Sequence, residues 1–251
     1  MSWGGAARGM RRLCSVFSLR RHSLRTEVRG PVLALMTALL LGACHQGKNE
    51  EPKAAKVTAW ELFSPALIGK WQEAAMSKSG GIQREADGYS MKEGGPMTGI
   101  VFPSWFSDGM PATDYAITYE AMRVSGSDFF GSVTFPVRDE KTFATFVLGG
   151  WGGAQVGISN IDGFDAASNA TGSSQHFENG KWYRVHIEVR AKELVVLLDG
   201  KRIVQTNIAG RSLGLRAGEI GNCVPFGFAT YGTEGRARGC IIERLKAEPP
   251  Q

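Results

Sequence analysis

The chain has little of what most catalytic or nucleic-acid-binding designs require. Its 251 residues include only four histidines and four cysteines. Past position 43 the histidines are His45, His176 and His186, and none falls into a Ser-His-Asp arrangement that would activate a nucleophile. The cysteines, Cys14, Cys44, Cys223 and Cys240, lack the paired spacing of a zinc site. No apolar run approaches the roughly twenty residues that span a bilayer. Helical periodicity is nearly absent after residue 80, which excludes helical bundles and alternating βαβ units. Positive charge is also missing where it would matter. The whole chain carries +5, but the 43 residues before Cys44 hold seven Arg, no Lys and one Glu, a balance of +6. The remainder is therefore at −1, with no footprint for a phosphate backbone, and nucleic acid is excluded as a partner.

What is present begins with a leader. Arg20, Arg21, Arg25 and Arg29 flank the apolar segment Val32–Leu41, whose length of about ten residues suits a signal-peptide core. Leu41-Gly42-Ala43-Cys44 follows. It resembles the lipobox of bacterial lipoproteins, which implies cleavage before Cys44 and lipidation of that cysteine. The expected organisation is a signal peptide over 1–43, starting at Met1, Met10 or later, and a polar tether over 44–56. A domain over 57–246 and a tail over 247–251 complete it. His45, rather than Asp, after the lipidated cysteine implies the outer membrane by analogy with lipoprotein sorting. The expected location is thus the bacterial cell envelope, with the membrane as a partner through lipid alone. Cys223 and Cys240 remain as the domain's thiols, either a disulfide in an oxidising compartment or two buried thiols.

The domain reads as strands. In Trp182–Arg190, Tyr183, Val185, Ile187 and Val189 alternate with Arg184, His186, Glu188 and Arg190. Glu193–Leu198 leads into Asp199-Gly200, a tight-hairpin dipeptide, and Lys201–Thr206 pairs back. Further strands are expected at Gly81–Glu85, Tyr89–Lys92, Gly99–Pro103, Tyr115–Val124, Phe129–Val137 and Thr142–Leu148. Phe226–Tyr231 and Arg236–Leu245 are expected to form a hairpin. Many short strands, with 33 glycines in the chain, predict an all-β, two-sheet antiparallel jelly-roll sandwich with one concave face.

Several segments carry a family resemblance. Tyr119–Phe130, with its Ser127-Asp128-Phe129-Phe130, and Gly149-Gly150-Trp151-Gly152-Gly153 are the most specific. Ser159-Asn160-Ile161-Asp162-Gly163, Trp182-Tyr183-Arg184-Val185 and Leu198-Asp199-Gly200 accompany them. Over Trp60–Leu245 the chain resembles the 3-keto-disaccharide hydrolase family, whose fold is concanavalin A-like. The opening Leu62-Phe63-Ser64-Pro65 differs from that family's usual Phe-Asn/Asp-Gly. The resemblance implies a carbohydrate or glycoside partner and cleavage of a 3-keto-glycoside; a non-catalytic glycan- or protein-binding module is the alternative. The Glu-x-Asp-x-x-Glu strand motif of laminarinase-type enzymes is absent.

Candidate site residues follow. On Tyr115–Val124 the core takes Tyr115, Ile117 and Tyr119, leaving Thr118, Glu120 and Met122 on the other face. If that sheet is the curved one, Glu120 is the base that removes the proton beside the ketone. Arg123, or a divalent metal, is then the electrophile. Arg123 and Asp128 also suit a loop-holding ion pair. Trp151, set among glycines, either stacks on a sugar ring or plugs the core. Asp162, Asp165 and Asn169 gather oxygen ligands in a Gly-containing loop, to be read as a calcium site, a hydroxyl-binding loop or plain turn chemistry. No dedicated metal site is expected.

Overall fold

The computed structural model describes residues 58–247; the leader, Cys44, the tether and residues 248–251 lie outside them. Fifteen strands follow in chain order: β1 (Ala59–Glu61), β2 (Gln72–Glu73), β3 (Ile82–Arg84), β4 (Gly88–Met91), β5 (Met97–Val101), β6 (Tyr115–Gly126), β7 (Phe130–Pro136) and β8 (Phe143–Gly149), then β9 (Gln155–Ser159), β10 (Ser173–Ser174), β11 (Trp182–Val189), β12 (Glu193–Leu198), β13 (Lys201–Asn207), β14 (Gly227–Tyr231) and β15 (Thr233–Arg244). They form two antiparallel sheets. The eight-stranded sheet runs β13-β12-β11-β6-β15-β4-β3, with β1 pairing on β15; the seven-stranded sheet runs β10-β9-β8-β7-β14-β5-β2. This is the two-sheet jelly-roll sandwich that the alternation predicts.

The alternation also predicts the inner face. Tyr115, Ile117, Tyr119 and Ala121 of β6 and Tyr183, Val185, Ile187 and Val189 of β11 are buried in the main core. Across from them lie Phe130, Val133, Phe135, Phe146 and Phe228 of the other sheet. Two tyrosines of β6 bridge the sheets: the Tyr115 hydroxyl donates to the Pro136 carbonyl (2.6 Å) and Tyr119 to the Gly131 carbonyl (2.9 Å). Burial pushes both phenols well above their ordinary pKa, so they stay protonated as donors. A phenylalanine would fill the space but leave two buried carbonyls without a partner.

One expectation fails, and of the two states open to the domain's thiols the structure has the buried, unbridged one. The segments around Phe226–Tyr231 and Arg236–Leu245 are not a hairpin, because β14 and β15 belong to different sheets. The chain crosses between them at Gly232, at φ 49°. Nor are Cys223 and Cys240 bridged; both are free and buried. Cys240 lies in the main core, whereas Cys223 packs in a second cluster with Ala74, Met76, Met97, Val101 and Ala229. Four strands also went unforeseen. β1, β2 and β10 are two or three residues long, too short to show alternation. β9 is interrupted by Gly157 at φ 155°, where a side chain would meet the Thr171 carbonyl at 3.1 Å.

Candidate functional site

A cleft of about 600 Å³ opens on the outer face of the seven-stranded sheet. Its floor comes from outward positions of β7, β8 and β9: Ser132, Thr145, Val147 and Ser159. Ser132 lies beside Ala229 and Gly99 in the register of β7, β14 and β5, and the last two lie under Met76 and Cys223, which close that side of the hollow. One wall is apolar, with Met97, Phe129, Ile220 and Tyr231; the other carries Arg216 and ends at Trp151.

Trp151 is the most informative of these residues. It stands two residues past the end of β8 in a left-handed conformation (φ 50°, ψ 53°), with Gly149 at φ 80° before it and Gly152 at φ 85° after it. A bulky residue there is strained by about 1–2 kcal/mol. Glycines on either side let the chain turn so tightly that the indole stands out, 44% exposed. Of the two roles open to it, this exposure excludes the core plug.

Two of the expected residues hold this turn. Asp128 sits at the crossing from β6 to β7. Its Oδ1 accepts from the Phe129 N–H (2.8 Å) and its Oδ2 from the Gly152 N–H (3.0 Å). The carboxylate thus ties the start of β7 to the residue after Trp151. Asp128 is itself placed by its N–H on Thr233 Oγ1 (3.0 Å). From the core side, Arg123 donates to the Gly153 carbonyl (3.4 Å), the Phe177 carbonyl (2.8 Å) and Asn179 Oδ1 (2.6 Å). It is 7% exposed, and its guanidinium lies 5.3 Å from the Phe130 ring centre. Arg123 and Asp128 therefore grip the same turn from opposite sides; neither bonds the other.

The Asp162–Asn169 loop reaches the cleft indirectly. Asp165 accepts from Arg216 Nη1 (3.1 Å), and the Arg216 guanidinium lies over the Trp151 ring, 5.2 Å from its centre. Asp162 accepts from Arg211 Nε and the Ser212 N–H. The Ser212 N–H foremost, then Arg211, holds its carboxyl below the ordinary value. Asn169 spends its amide on the Ile158, Phe164 and Asp165 carbonyls and its oxygen on Thr171. With both aspartates facing arginines and Asn169 turned inward, the loop is knit by its own polar groups. Among the described residues no three acidic, His or Cys side chains gather as a metal would need.

Glu120 lies elsewhere. It is on the outer face of the eight-stranded sheet, away from the cleft, and accepts from Arg238 Nε at 2.7 Å. Arg238 in turn lies 3.9 Å above the Trp182 ring centre. The condition for its role as a base, that β6 lie in the sheet holding the hollow, is not met. The carboxylates lining the cleft are Asp128 and Glu219. Glu219 Oε1 accepts from the Ser77 N–H at 2.6 Å. Hydrogen bonding from the Ser77 side chain, then from its backbone, lowers the Glu219 pKa. Sequence reasoning missed Glu219, Arg216 and Tyr231. The first two lie in an irregular Gly-rich stretch, and Tyr231 ends a strand whose partners were misassigned. The usable signal was the small, hydroxylated outward set of β7–β9.

No family profile and no curated protein matches the chain. Solved structures do. A Crh5 transglycosylase in complex with NAG is 9% identical over 75% of this chain and 84% of its own, with a TM-score of 0.50. Its apo form is 10% identical over 76% and 85%, also with a TM-score of 0.50. The carbohydrate-binding module CBM66 from Bacillus subtilis is 11% identical over 69% and 95%, with a TM-score of 0.46. At such identities the likeness is one of fold, and the fold is the jelly-roll sandwich.

Proposed function

We propose that this domain binds carbohydrate in the cleft of the seven-stranded sheet, as the working part of a lipid-anchored envelope protein. The observation that carries the reading is Trp151, a strained and exposed indole held by Asp128 and Arg123 at the end of a hydroxyl-bearing trough. Strain of this kind persists where the surroundings over-determine it, and such sites are commonly functional. An indole face offers a sugar's apolar C–H face a flat partner, while Arg216 offers donors for hydroxyls; Thr145 and Ser159, both buried, already bond Thr134 and Asn160. Glycan-array binding that disappears in Trp151→Ala supports the reading; array binding unchanged in that variant rejects it. The anchor is a separate claim: Cys44→Ala releases the protein from membranes, and unchanged retention refutes it.

A second reading is favoured by one observation. Segments that carry the resemblance to 3-keto-disaccharide hydrolases supply Asp128, Phe129, Trp151 and Ser159 to the cleft lining. In that case the reaction is 3-keto-glycoside cleavage, and the base is Glu219, not Glu120. Glu219 is ionised at neutral pH, as a base must be, and the Ser77 hydrogen bonds that lower its pKa position the carboxylate at some cost in basicity. Its carboxylate takes the C2 proton, and the freed pair forms the C1–C2 double bond. The C1–O bond breaks, and the leaving oxygen takes a proton from water. The hydroxide so formed adds at C1 and Glu219 returns its proton to C2, which completes hydrolysis and restores the base. Arg216 is the cation available to the ketone oxygen. Turnover of a 3-keto-glycoside that survives Glu219→Gln rejects this assignment.

A further inference from the structure

We infer that the cleft takes a glycoside with an apolar aglycone, the sugar on the Trp151 side and the aglycone on the Met97–Tyr231 side. The inference rests on the carbohydrate reading above and adds what is attached to the sugar. The two walls of the cleft differ in chemistry. On one side lie Thr145 and Ser159 of β8 and β9, the strands that the Trp151 turn joins, with the Arg216 guanidinium over the indole. The facing wall is Met97, Phe129, Ile220 and Tyr231.

On that wall the Phe129 and Tyr231 rings pair at 5.6 Å between centres, inclined at 47°. Phe129 and Ile220 rest on the second apolar cluster, with Met76, Met97 and Cys223 behind them. Tyr231 nevertheless remains 42% exposed at the end of β14. Its N–H donates to the Phe129 carbonyl (3.1 Å), which fixes the backbone beneath both rings. The polar groups beside this wall already bond each other, Glu219 to the Ser77 N–H. A second sugar placed there would press hydroxyls against methionine, isoleucine and phenyl surface, at the cost of their hydration. An aryl or alkyl group loses nothing there and gains apolar contact. The volume of about 600 Å³ falls inside the range of about 300–1,000 Å³ typical of small-ligand sites.

The experiment is isothermal titration of the intact mature chain with matched methyl, phenyl and disaccharide glycosides of common hexoses, and with free phenol. For the preferred sugar, the phenyl glycoside is expected to bind about tenfold tighter than the methyl glycoside, equivalent to about 1.4 kcal/mol. Tyr231→Ala shrinks that ratio to about threefold or less, whereas Tyr231→Phe keeps it, since the ring and not the hydroxyl makes the contact. Equal affinity for methyl and phenyl glycosides, or a disaccharide that outcompetes both, overturns the aglycone assignment and leaves the carbohydrate reading standing. Phenol binding as tightly as its glycoside overturns the carbohydrate reading, and this inference with it. Failure of every probe to bind overturns both.

Discussion

Replacing Asp128 tests whether the Trp151 turn is held or merely tolerated. Its carboxylate accepts two backbone N–H bonds, at 2.8 Å from Phe129 and 3.0 Å from Gly152. Hydrogen bonds to a charged group contribute about 1.5–3 kcal/mol each. The Gly152 bond is exposed, which places it at or below the lower end. Asp128→Ala is thus expected to destabilise the domain by about 2–3 kcal/mol. Asp128→Asn keeps one acceptor oxygen but turns an NH₂ toward an N–H, and is expected to cost about 1–2 kcal/mol. Urea unfolding followed by circular dichroism measures both.

Stability alone would not separate a cleft role from an ordinary loop tie. With the Gly152 bond gone, Trp151, strained by about 1–2 kcal/mol in its left-handed conformation, relaxes against the long Arg123 bond to the Gly153 carbonyl (3.4 Å) and the Arg216 contact alone. The indole then leaves the rim, and ligand affinity falls with it. Asp128→Ala should therefore shift the fluorescence of Trp151, a shift that vanishes in a Trp151→Phe background, and weaken glycan binding at temperatures where the variant is fully folded. A variant within about 0.5 kcal/mol of the parent, the usual scatter for surface substitutions, with unchanged emission and affinity, refutes the reasoning.

Trp151→Gly relieves the backbone strain and removes a side chain already 44% exposed. It should leave stability within about 1 kcal/mol of the parent while abolishing glycan binding; a loss above about 3 kcal/mol would instead mark a core residue. Glu120→Gln breaks a pair whose side chains are 32% and 35% exposed, so about 0.2–1 kcal/mol of stability is lost; any change in cleft affinity contradicts its place on the other sheet. Both domain thiols should resist Ellman's reagent in the native state and react on unfolding, because burial pushes the Cys223 thiol up to about 12 and Cys240 higher still; a bridged peptide by mass spectrometry would overturn this. Asp139, Asp162 and Glu219 all have folded pKa values below their ordinary ones. Their stabilisation is therefore complete above the unfolded carboxylate range and lost as pH falls through the depressed values. Asp162→Asn should flatten the acid limb of the stability curve, and an unchanged limb counts against the Ser212 and Arg211 contacts.

The fold was legible because burial on one face forces a period of two, which β6, β11 and β12 show plainly, and the turn signals between apolar runs mark most of the other strands of the described region. Sheet membership was not. β14 and β15 are adjacent in sequence, and only the sharp turn at Gly232 separates a hairpin from a crossing between sheets. Half of the site was visible in the same way. Trp151 among glycines, and the Ser-Asp-Phe-Phe segment beside it, signalled a constrained turn, and the structure brings Arg123, Asp128 and Trp151 to it. Their roles differ from the expected chemistry, since two of the three are satisfied by backbone groups and Asn179. Arg216 and Glu219 could not be read, because they come from a stretch whose path depends on loops packed elsewhere.

Which face becomes a trough was nonetheless written in the size of the outward side chains. On the eight-stranded sheet most outward positions of β6, β11 and β15 are long, and most of those are polar or charged: Glu120, Met122, Arg184, His186, Glu188, Arg236 and Arg238, with Ala116 and Thr118 the short ones of β6. They pair among themselves or with near neighbours, Glu120 with Arg238, Arg236 with Glu85, Glu188 with Arg190. Arg236 and Arg238 both lie over Trp182. Such a layer fills the space above its sheet and is content in water. The seven-stranded sheet offers the shorter Ser132, Thr145 and Val147 at the equivalent positions of β7 and β8, beneath the cleft, whereas Gly99 and Ala229 beside them are covered by Met76 and Cys223. Loops then rise on both sides, the Asp162–Asn169 segment with Arg216 on one and Glu219–Cys223 on the other. Period two names both faces of a sandwich sheet, and side-chain volume at the outward positions decides which face is hollow. By that criterion Glu120 was always on the filled face, and the residues to mutate first are those that surround short ones.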